Sequence, residues 1–318
     1  MKRVAYIGGQ PIPSFDRVWG GSLATNYCFQ KAFQDDHEYF LDILPRDEIR
    51  TAQDITDFCD GADIVHLDDT GMCELMFQAG LPTPDVIGPI TRSPVKDYKG
   101  WECYYSENWF YKATVIRLNY AEERMCPERV RLVTHGVDTK LLQPDTETPK
   151  KWILWAGARG RYAKNYAMWN EIRQRPAPDG FEYMTLSGYT VQEYWDILKE
   201  TAVVVCTSRY ESFCNCAFEA MACGVPVVWR DGLQGGLWEA AGVRVGYEPE
   251  FFNCGIRWVC DNLDHHSLHA RKFVEYHNTL EHMRDSYASV YSDVLHNAVV
   301  VGKEARRSPY QPPCYDKL

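Results

Sequence analysis

The stretch TSRYESFCNCAFEAMACGVPVVW, residues 207–229, decides the fold because it carries two strand ends and the helix between them. The apolar runs Ala202–Thr207 and Val225–Trp229 are predicted to be buried strands. Between them, Cys216–Ala222 is predicted to be a helix that ends at a turn-forming Gly-Val-Pro sequence. A strand, a helix and a second strand in this order predict a parallel, doubly wound sheet.

The same alternation of short apolar runs and helical spacing occurs in both halves of the chain. The first half opens with the predicted strand Arg3–Gly8, and the second opens with Trp152–Gly157. The polar, proline-flanked segment Gln143–Lys150 lies between the halves and is predicted to be a linker. The sequence therefore predicts an α/β fold with two doubly wound, Rossmann-like domains that face each other across a cleft. The predicted divisions are an N-terminal domain, a C-terminal domain and a C-terminal helix, over residues 1–145, 146–275 and 276–318.

Composition and charge exclude several classes of protein. Hydrophobic residues make up 45% of the 318 residues, which is enough for a packed core and excludes a disordered chain. The longest apolar runs are too short to span a bilayer, and no signal-peptide core follows Met1. A net charge of −10 argues against nonspecific binding to nucleic-acid phosphates or to anionic lipid. We therefore expect a cytoplasmic protein without integral membrane association.

The twelve cysteines raise the question of disulfides or a metal site. No Cys-x-x-Cys occurs, and the closest pair, Cys214 and Cys216, has no histidine nearby. Other cysteines lie within apolar segments such as Val203–Cys206. This pattern favours reduced, mostly buried thiols and no metal site.

Two glutamates in the decisive stretch are candidates for chemistry. Glu211 lies in the loop after a predicted strand, at the edge where doubly wound sheets bind ligands, and Glu219 lies inside the next helix. The backbone N–H groups of Phe213–Asn215 lie at the start of that helix, where they can bind hydroxyl or anionic acceptors. The residues alone leave an alternative open, in which Glu211 caps the helix and Glu219 is solvated.

Taken whole, the stretch resembles the signature of the retaining nucleotide-sugar glycosyltransferases of the GT-B fold. This is the glycosyl transferases group 1 family, which includes glycogen synthase-like and mannosyltransferase-like enzymes. The family has two glutamates separated by seven residues and then Glu-Ala-Met-Ala-x-Gly-x-Pro-Val-Val, and the chain has Glu211 followed by EAMACGVPVV from Glu219. The resemblance implies that Glu219 holds the ribose hydroxyls of the donor and that Glu211 faces the transferred sugar. It also implies that amides around Phe213, Cys214 and Asn215 bind the sugar hydroxyls.

A second resemblance concerns the donor diphosphate. The segment Ile153–Arg159 (ILWAGAR), followed by Lys164, resembles the strand, arginine and lysine with which the family neutralises this group. Two fixed cations at a strand end would stabilise the negative charge that develops on a leaving diphosphate. Arg159, Lys164 and Glu211 are therefore the predicted catalytic residues. The alternative is that Arg159 and Lys164 are ordinary charged side chains in contact with solvent.

Further matches occur in the order of the family. Val133–Asp138 (VTHGVD) resembles the segment that closes its N-terminal domain. Gly20, Gly21 and Ser22 resemble its Gly-Gly loop, where glycine lets the backbone approach the diphosphate at a helix start. A plain turn is the alternative for the glycine pair. Tyr189, just after a predicted strand, is a candidate neighbour of the donor base.

The chain also departs from the family pattern. His66 matches a strand-end histidine, but Asp68 replaces the second histidine of that pattern. Arg92 lies where the family often has a histidine that contacts the sugar, and Asn165 replaces the glycine that usually follows Lys164. His66, Asp68 and Arg92 are therefore candidates for the acceptor side. For His66, an equal alternative is a core residue whose hydrogen bonds are all made within the protein.

In this family the final helix crosses back to the first domain. Glu275–Ala298 has the length and the apolar stripe for such a helix. A helix packed within its own domain is the alternative.

The resemblance implies a retaining hexosyl- or pentosyltransferase that uses a nucleoside-diphosphate sugar. It implies no cofactor and no metal, because arginine and lysine replace the divalent ion. The expected acceptor is a hydroxyl group of a saccharide or small molecule. A hydroxylated base in phage DNA is a minority alternative, for which the aromatic-rich stretch Tyr98–Tyr111 offers stacking surfaces.

Two other classes of function remain as alternatives. A non-catalytic nucleotide-sugar-binding module with the same fold is the first, because the family histidine is replaced. A dinucleotide-dependent oxidoreductase is disfavoured, since no Gly-x-Gly-x-x-Gly follows the first predicted strand.

Overall fold

The structure, a computed structural model, describes residues 1–8, 15–18, 21–68, 84–90, 114–117, 130–209, 211, 213–230 and 242–296. These residues form two parallel β-sheets with helices. By their contacts they divide into two compact units. The first unit comprises Met1–Pro11, Phe29–Thr134 and Met283–Leu318, and the second comprises Ile12–Cys28 and His135–His282. The predicted α/β class with two Rossmann-like sheets is confirmed.

The first sheet has six parallel strands in the order β2-β1-β3-β4-β5-β6. The strands are β1 (Lys2–Ile7), β2 (Tyr39–Leu44), β3 (Ile64–Leu67), β4 (Val86–Ile90), β5 (Thr114–Arg117) and β6 (Val130–Leu132). Helices α1 (Gly21–Phe33) and α2 (Ala52–Cys59) follow the first two strands. This order places the first strand between the second and the third, which is a doubly wound topology.

The core of the first unit is aromatic on one face of β1 and aliphatic on the other, because successive strand residues point to opposite faces. Ile7 packs with Leu67 and with Ile55 of α2. Tyr6 lies on the other face, with its ring 4.8 Å from that of Phe29 and 4.9 Å from that of His66. The aromatic face therefore surrounds a histidine at the end of β3.

The second sheet has five parallel strands in the order β11-β10-β9-β7-β8. The strands are β7 (Trp152–Ala156), β8 (Glu182–Leu186), β9 (Thr201–Cys206), β10 (Val227–Arg230) and β11 (Val243–Val245). The helices are α3 (Tyr166–Ile172), α4 (Val191–Lys199), α5 (Asn215–Ala222), α6 (Pro249–Asp261) and α7 (Leu263–His277). Leu154 belongs to a core with α4, α5 and α7, and Ile153 belongs to another core with α3 and α6. Both faces of this sheet are therefore covered, as in a doubly wound domain.

This strand order fixes where a ligand site lies in the second unit. β7 is the first strand of the unit and lies between β8 and β9, its second and third strands. The chain thus reverses direction across the sheet between β7 and β9, and ligands of open α/β sheets bind outside the carboxyl ends of strands at such a point. The loops after these two strands carry Arg159, Lys164 and Glu211.

The C-terminal segment differs from the prediction of one helix over Glu275–Ala298. Helix α7 ends at His277, and a separate helix α8 covers Leu280–Leu295. The break has a physical reason in Asn278, whose side-chain amide donates to the carbonyl of His135 at 2.9 Å. The Asn278 carbonyl accepts the backbone N–H of Val137 at 2.8 Å, so this acceptor bonds to another segment and not to a next turn of the helix.

Other boundaries follow the prediction closely, and the exceptions are local. The strand predicted from Val225 begins at Val227, because Gly224 adopts a left-handed φ of 71° after α5. Helices α2 and α6 and strand β11 are additional elements that the sequence analysis did not predict. Among the described residues, none of the helices has the length and apolar character that a membrane span requires.

Candidate functional site

Lys164 and Glu211 form an ion pair at the carboxyl edge of the second sheet. The Lys164 Nζ atom donates to Glu211 Oε1 at 2.5 Å, and their side chains are only 20% and 12% exposed. The hydroxyl of Ser208 donates to the same oxygen at 2.6 Å. Burial alone would lower the pKa of Lys164, but its electrostatic interactions with Cys214 and then with Glu211 hold this pKa well above its ordinary value. The lysine is therefore cationic and is already aimed at an anionic oxygen.

The loop that carries Lys164 is fixed by an unusual backbone conformation at Asn165. Tyr162–Lys164 is a single 3₁₀ turn, and Asn165 follows it with φ 51° and ψ 52°. Asparagine is among the few residues besides glycine that adopt this left-handed region readily. Asn165 therefore adopts a conformation that glycine also adopts readily. The Thr207 hydroxyl donates to the carbonyl of Lys164 at 2.9 Å and ties the loop to the end of β9.

Arg159, the second predicted cation, is exposed and lies over an aromatic ring. Its guanidinium carbon is 5.3 Å from the centre of the Tyr166 ring. A cation–π contact of this kind holds the side chain without neutralising its charge. The ring of Tyr166 therefore holds the Arg159 guanidinium in the loop after β7.

Arg209 and Arg230 add positive charge that the sequence analysis did not assign to the site. The Arg209 guanidinium lies 4.4 Å from the Tyr162 ring centre and donates to Asn165 Oδ1 at 3.0 Å. Arg230 lies 4.7 Å from the Tyr247 ring centre and donates to the carbonyl of Arg209 at 2.9 Å. Arg209 follows the end of β9 and Arg230 is the last residue of β10, and these positions at strand ends are the sequence signal that could have found them. The arrangement favours an anionic ligand.

Glu219 lies inside α5 and is largely withdrawn from water. The Trp195 Nε1 atom donates to Glu219 Oε2 at 3.3 Å. Burial raises the pKa of Glu219 to about 7. The Glu219 carboxyl therefore titrates near neutral pH, and it can accept hydrogen bonds from hydroxyl groups once it is ionised.

This raised pKa predicts a pH-dependent free energy of unfolding. Unfolding restores an ordinary carboxyl pKa near 4.5, so between pH 4.5 and 7 the folded chain binds more protons than the unfolded chain. The Glu219 contribution therefore becomes unfavourable as the pH rises through this window. We expect Glu219→Gln to gain stability relative to wild type between pH 5 and pH 8, measured by urea unfolding. The matched change at the exposed Glu182 should show no such gain, and equal pH profiles for both variants would contradict the prediction.

The loop before α5 is held by aromatic stacking. The Phe213 ring lies 4.1 Å from the His135 ring at an interplanar angle of 10°, and 4.1 Å from the Phe218 ring. His135 Nε2 lies 3.0 Å from the Thr25 hydroxyl, and burial lowers the pKa of His135 to about 4, so the ring is neutral at pH 7. His135 therefore positions Phe213, a role that the sequence analysis missed because the two residues are far apart in the chain.

The structure brings the other donor-side residues of the second unit to the same region. Cys214 is the N-cap residue of α5, and its carbonyl accepts the backbone N–H of Ala217 at 2.9 Å. The Asn215 side chain donates to the Thr25 hydroxyl at 3.4 Å. The Tyr189 ring packs 5.4 Å from that of Tyr194, and burial raises the pKa of Tyr189.

The predicted acceptor-side residues lie in the first unit or outside the described residues. His66 is fully buried, and its Nδ1 atom lies 2.7 Å from the Tyr291 hydroxyl. These are the contacts of a core residue, which was the alternative for this position. Asp68 accepts a hydrogen bond from the Tyr6 hydroxyl. Arg92 and Gly20 lie outside the described residues, Gly21 begins α1, and the Ser22 side chain is not described.

Comparison with known proteins identifies the segment that carries this site. Residues 130–246 match the family "Glycosyl transferases group 1". This segment is similar to that family. The match covers β7 to β10 with the ion pair, Arg159 and Glu219, so the resemblance drawn from the sequence motifs is confirmed for the group 1 glycosyltransferases. No curated protein matches the chain.

Solved glycosyltransferase structures show the same fold over almost the whole chain. Sucrose-phosphate synthase from Thermosynechococcus elongatus is 14% identical, with a TM-score of 0.72 over 94% of this chain and 100% of that chain. A glycosyltransferase from Rickettsia africae is 12% identical, with a TM-score of 0.68 over 93% and 99%. Anabaena HepE, solved in complex with UDP and glucose, is 12% identical, with a TM-score of 0.67 over 92% and 100%. At these identities the likeness shows the fold, which is GT-B.

Proposed function

We propose that this group 1 glycosyltransferase moves a sugar, with retention of configuration, from a nucleoside-diphosphate sugar to a hydroxyl acceptor. The observation that carries the proposal is the buried Lys164–Glu211 pair at the point where the second sheet reverses, with cations beside it. The complex of HepE with UDP and glucose supports a nucleoside-diphosphate sugar as donor. The donor sugar is a hexose or a pentose.

The leaving group explains why the site is basic. Breaking the glycosidic bond to a diphosphate leaves negative charge on a phosphate oxygen, and fixed cations stabilise that charge as it develops. Lys164 and Arg159 take this role, and Arg209 adds a third cation within reach of the same loop. We propose that this replaces a divalent ion, so that the transfer step needs no metal and no cofactor.

The ion pair also suggests how donor binding prepares the reaction. A phosphate oxygen competes with Glu211 for the Lys164 ammonium, because both are anionic acceptors at the same cation. When the lysine turns to the phosphate, the Glu211 carboxylate is left to face the transferred sugar. The amides of Phe213, Cys214 and Asn215 at the start of α5 bind the sugar hydroxyls.

The other site residues contact the parts of the donor on either side of the diphosphate. Glu219 holds the ribose hydroxyls, and Tyr189 lies beside the base. Gly20, Gly21 and Ser22 contact the diphosphate from the start of α1. Asp68 and Arg92 are the proposed residues on the acceptor side. The acceptor is a saccharide or small molecule rather than DNA. We propose that the enzyme is cytoplasmic.

A substitution at the proposed ribose contact separates binding from chemistry. Glu219→Gln keeps the size of the side chain but weakens its acceptance of two hydroxyl hydrogen bonds. Because ribose is held alike in the ground and transition states, we expect a higher KM for the donor and a nearly unchanged kcat. Steady-state kinetics at pH 8 measures both constants, and an unchanged donor KM would remove Glu219 from the site.

The direct test of the function is a panel of UDP-, GDP- and ADP-sugars incubated with hydroxyl acceptors. Release of nucleoside diphosphate and the anomeric configuration of the product, followed by NMR, report transfer and retention together. We expect the same rate with and without added Mg²⁺ or Mn²⁺. Tight nucleotide binding without release from any donor would instead support a binding module, and an inverted product would overturn the retaining mechanism.

A further inference from the structure

The side-chain amide of Asn165 joins residues from two other loops of the second unit. Its Oδ1 atom accepts a hydrogen bond from the Arg209 guanidinium at 3.0 Å, and its Nδ2 atom donates to the Tyr247 hydroxyl at 3.1 Å. Only 5% of Asn165 is exposed to solvent. Because arginine only donates hydrogen bonds, the amide oxygen must face it, which leaves Nδ2 for the tyrosine. The two bonds therefore fix the amide in one orientation.

These contacts are not those of a helix cap. Asn165 is the N-cap residue of α3, a position at which asparagine ordinarily accepts a backbone N–H of the first turn. Its backbone is left-handed, and its side chain makes no such bond to α3. Glycine adopts the same backbone conformation without a side chain. The turn itself therefore does not require the amide, whose bonds to Arg209 and Tyr247 are a separate feature of this chain.

Arg209 is tied to the loop that carries Lys164. Its backbone N–H donates to the carbonyl of Ala163 at 2.7 Å, and its guanidinium carbon lies 4.4 Å from the centre of the Tyr162 ring. Among the described residues, Asn165 is the only acceptor of the guanidinium, and no carboxylate forms an ion pair with it. A neutral amide and an aromatic ring therefore orient Arg209 without supplying a counter-ion.

Such a side chain is prepared to bind an anion. Arginine loses much rotamer freedom when it is held in one place, and a side chain that is ordered only on binding lowers the affinity by that cost. Asn165 and Tyr162 order the guanidinium before a ligand arrives. The planar guanidinium has five N–H groups, so the bond to Asn165 leaves others for phosphate oxygens.

We propose that Asn165 is a positioning residue that holds the Arg209 guanidinium in place to bind the donor diphosphate beside Lys164. This inference rests on the proposed function. Asn165 does not itself contact the diphosphate, and its whole effect on binding passes through Arg209. The departure from the family pattern at this position thus adds a side chain that orders a further cation of the site.

Calorimetric titration with UDP, GDP and ADP tests the proposal, using whichever nucleotide binds the wild-type chain most tightly. We expect Asn165→Gly, which keeps the left-handed turn, to weaken this binding about 3- to 10-fold, because Arg209 must then be ordered on binding. Arg209→Gln should weaken it about tenfold or more, since a charged hydrogen bond is lost. Because Asn165 acts through Arg209, the double variant should bind no more weakly than Arg209→Gln, whereas independent effects would add.

A matched control removes a similar buried amide from the same unit. Asn253 on α6 donates to the carbonyl of Pro249 at 2.9 Å and accepts from the Tyr183 hydroxyl at 2.8 Å. Asn253→Ala should lower the free energy of unfolding, measured by urea denaturation, but keep the nucleotide affinity within about a factor of two. Equal losses of affinity in Asn253→Ala and Asn165→Gly would show that binding follows stability and would overturn the positioning role.

The remaining outcomes separate this inference from the proposed function. Wild-type affinity in Asn165→Gly or in Arg209→Gln would overturn the inference, while the proposed function would stand on Lys164. A double variant that is weaker than Arg209→Gln by the full Asn165→Gly factor would likewise show that Asn165 does not act through Arg209. If none of the three nucleotides binds the wild-type chain, the inference and the proposed function both fail.

Discussion

Lys164→Ala is expected to lower kcat/KM for the donor by about 30- to 1000-fold. The substitution removes a buried cation from the leaving diphosphate, which costs about 2–4 kcal/mol of transition-state stabilisation. It also leaves Glu211 without its nearest cation, so part of the loss reflects a less well placed carboxylate. Initial rates of nucleoside-diphosphate release, over a range of donor concentrations, measure the effect.

The control for this prediction is a lysine of the same unit outside the site. Lys199 lies at the end of α4, is 55% exposed and pairs with Asp196 at 2.8 Å. Lys199→Ala should therefore leave kcat/KM within about a factor of two, because exposed ion pairs contribute little. A Lys164→Ala enzyme with wild-type turnover would show that Lys164 does not act on the diphosphate.

The second large effect concerns the stability of the unit that carries the site. Trp169 on α3 is fully buried and packs with Ile153 of β7 and Phe252 of α6. Its Nε1 atom donates to the Thr185 hydroxyl at 2.7 Å, so truncation leaves both a large cavity and an unpaired hydroxyl. We expect Trp169→Ala to lower the free energy of unfolding by about 3–5 kcal/mol, measured by urea denaturation.

Trp258 provides the matched control for this loss. It lies on α6 in the same unit but is 55% exposed. Trp258→Ala removes the same atoms from a surface position and should cost less than about 1 kcal/mol. Similar losses for the two variants would contradict the packing described around α3.

Short-range sequence patterns predicted the strands and helices that neighbouring residues determine. The strand β7 and the helix α5 lie within one residue of their predicted ranges, because apolar runs and helical spacing determine them. The break at Asn278 could not be predicted, since its side chain bonds to His135, which is 143 residues away in the chain. The resemblance to the family motifs predicted both Lys164 and Glu211 as site residues. In the structure these two residues form an ion pair.

Other parts of the candidate site depend on contacts between distant segments. Stacking of His135 on Phe213 and the packing of Arg230 on Tyr247 join residues that no local pattern relates. In the sequence, Asn165 in place of the family glycine is a departure from the family pattern. In the structure Asn165 forms the left-handed turn that follows Lys164, because asparagine tolerates positive φ.

The central claim is that the carboxyl edge of the second sheet binds the diphosphate of a nucleotide donor. Calorimetric titration of the wild-type chain with UDP, GDP and ADP, alongside Lys164→Ala and Lys199→Ala, tests it most directly. The account predicts that at least one nucleotide binds the wild type and Lys199→Ala alike, and binds Lys164→Ala at least about tenfold more weakly. Failure of all three nucleotides to bind, or equal affinity for all three proteins, would contradict it.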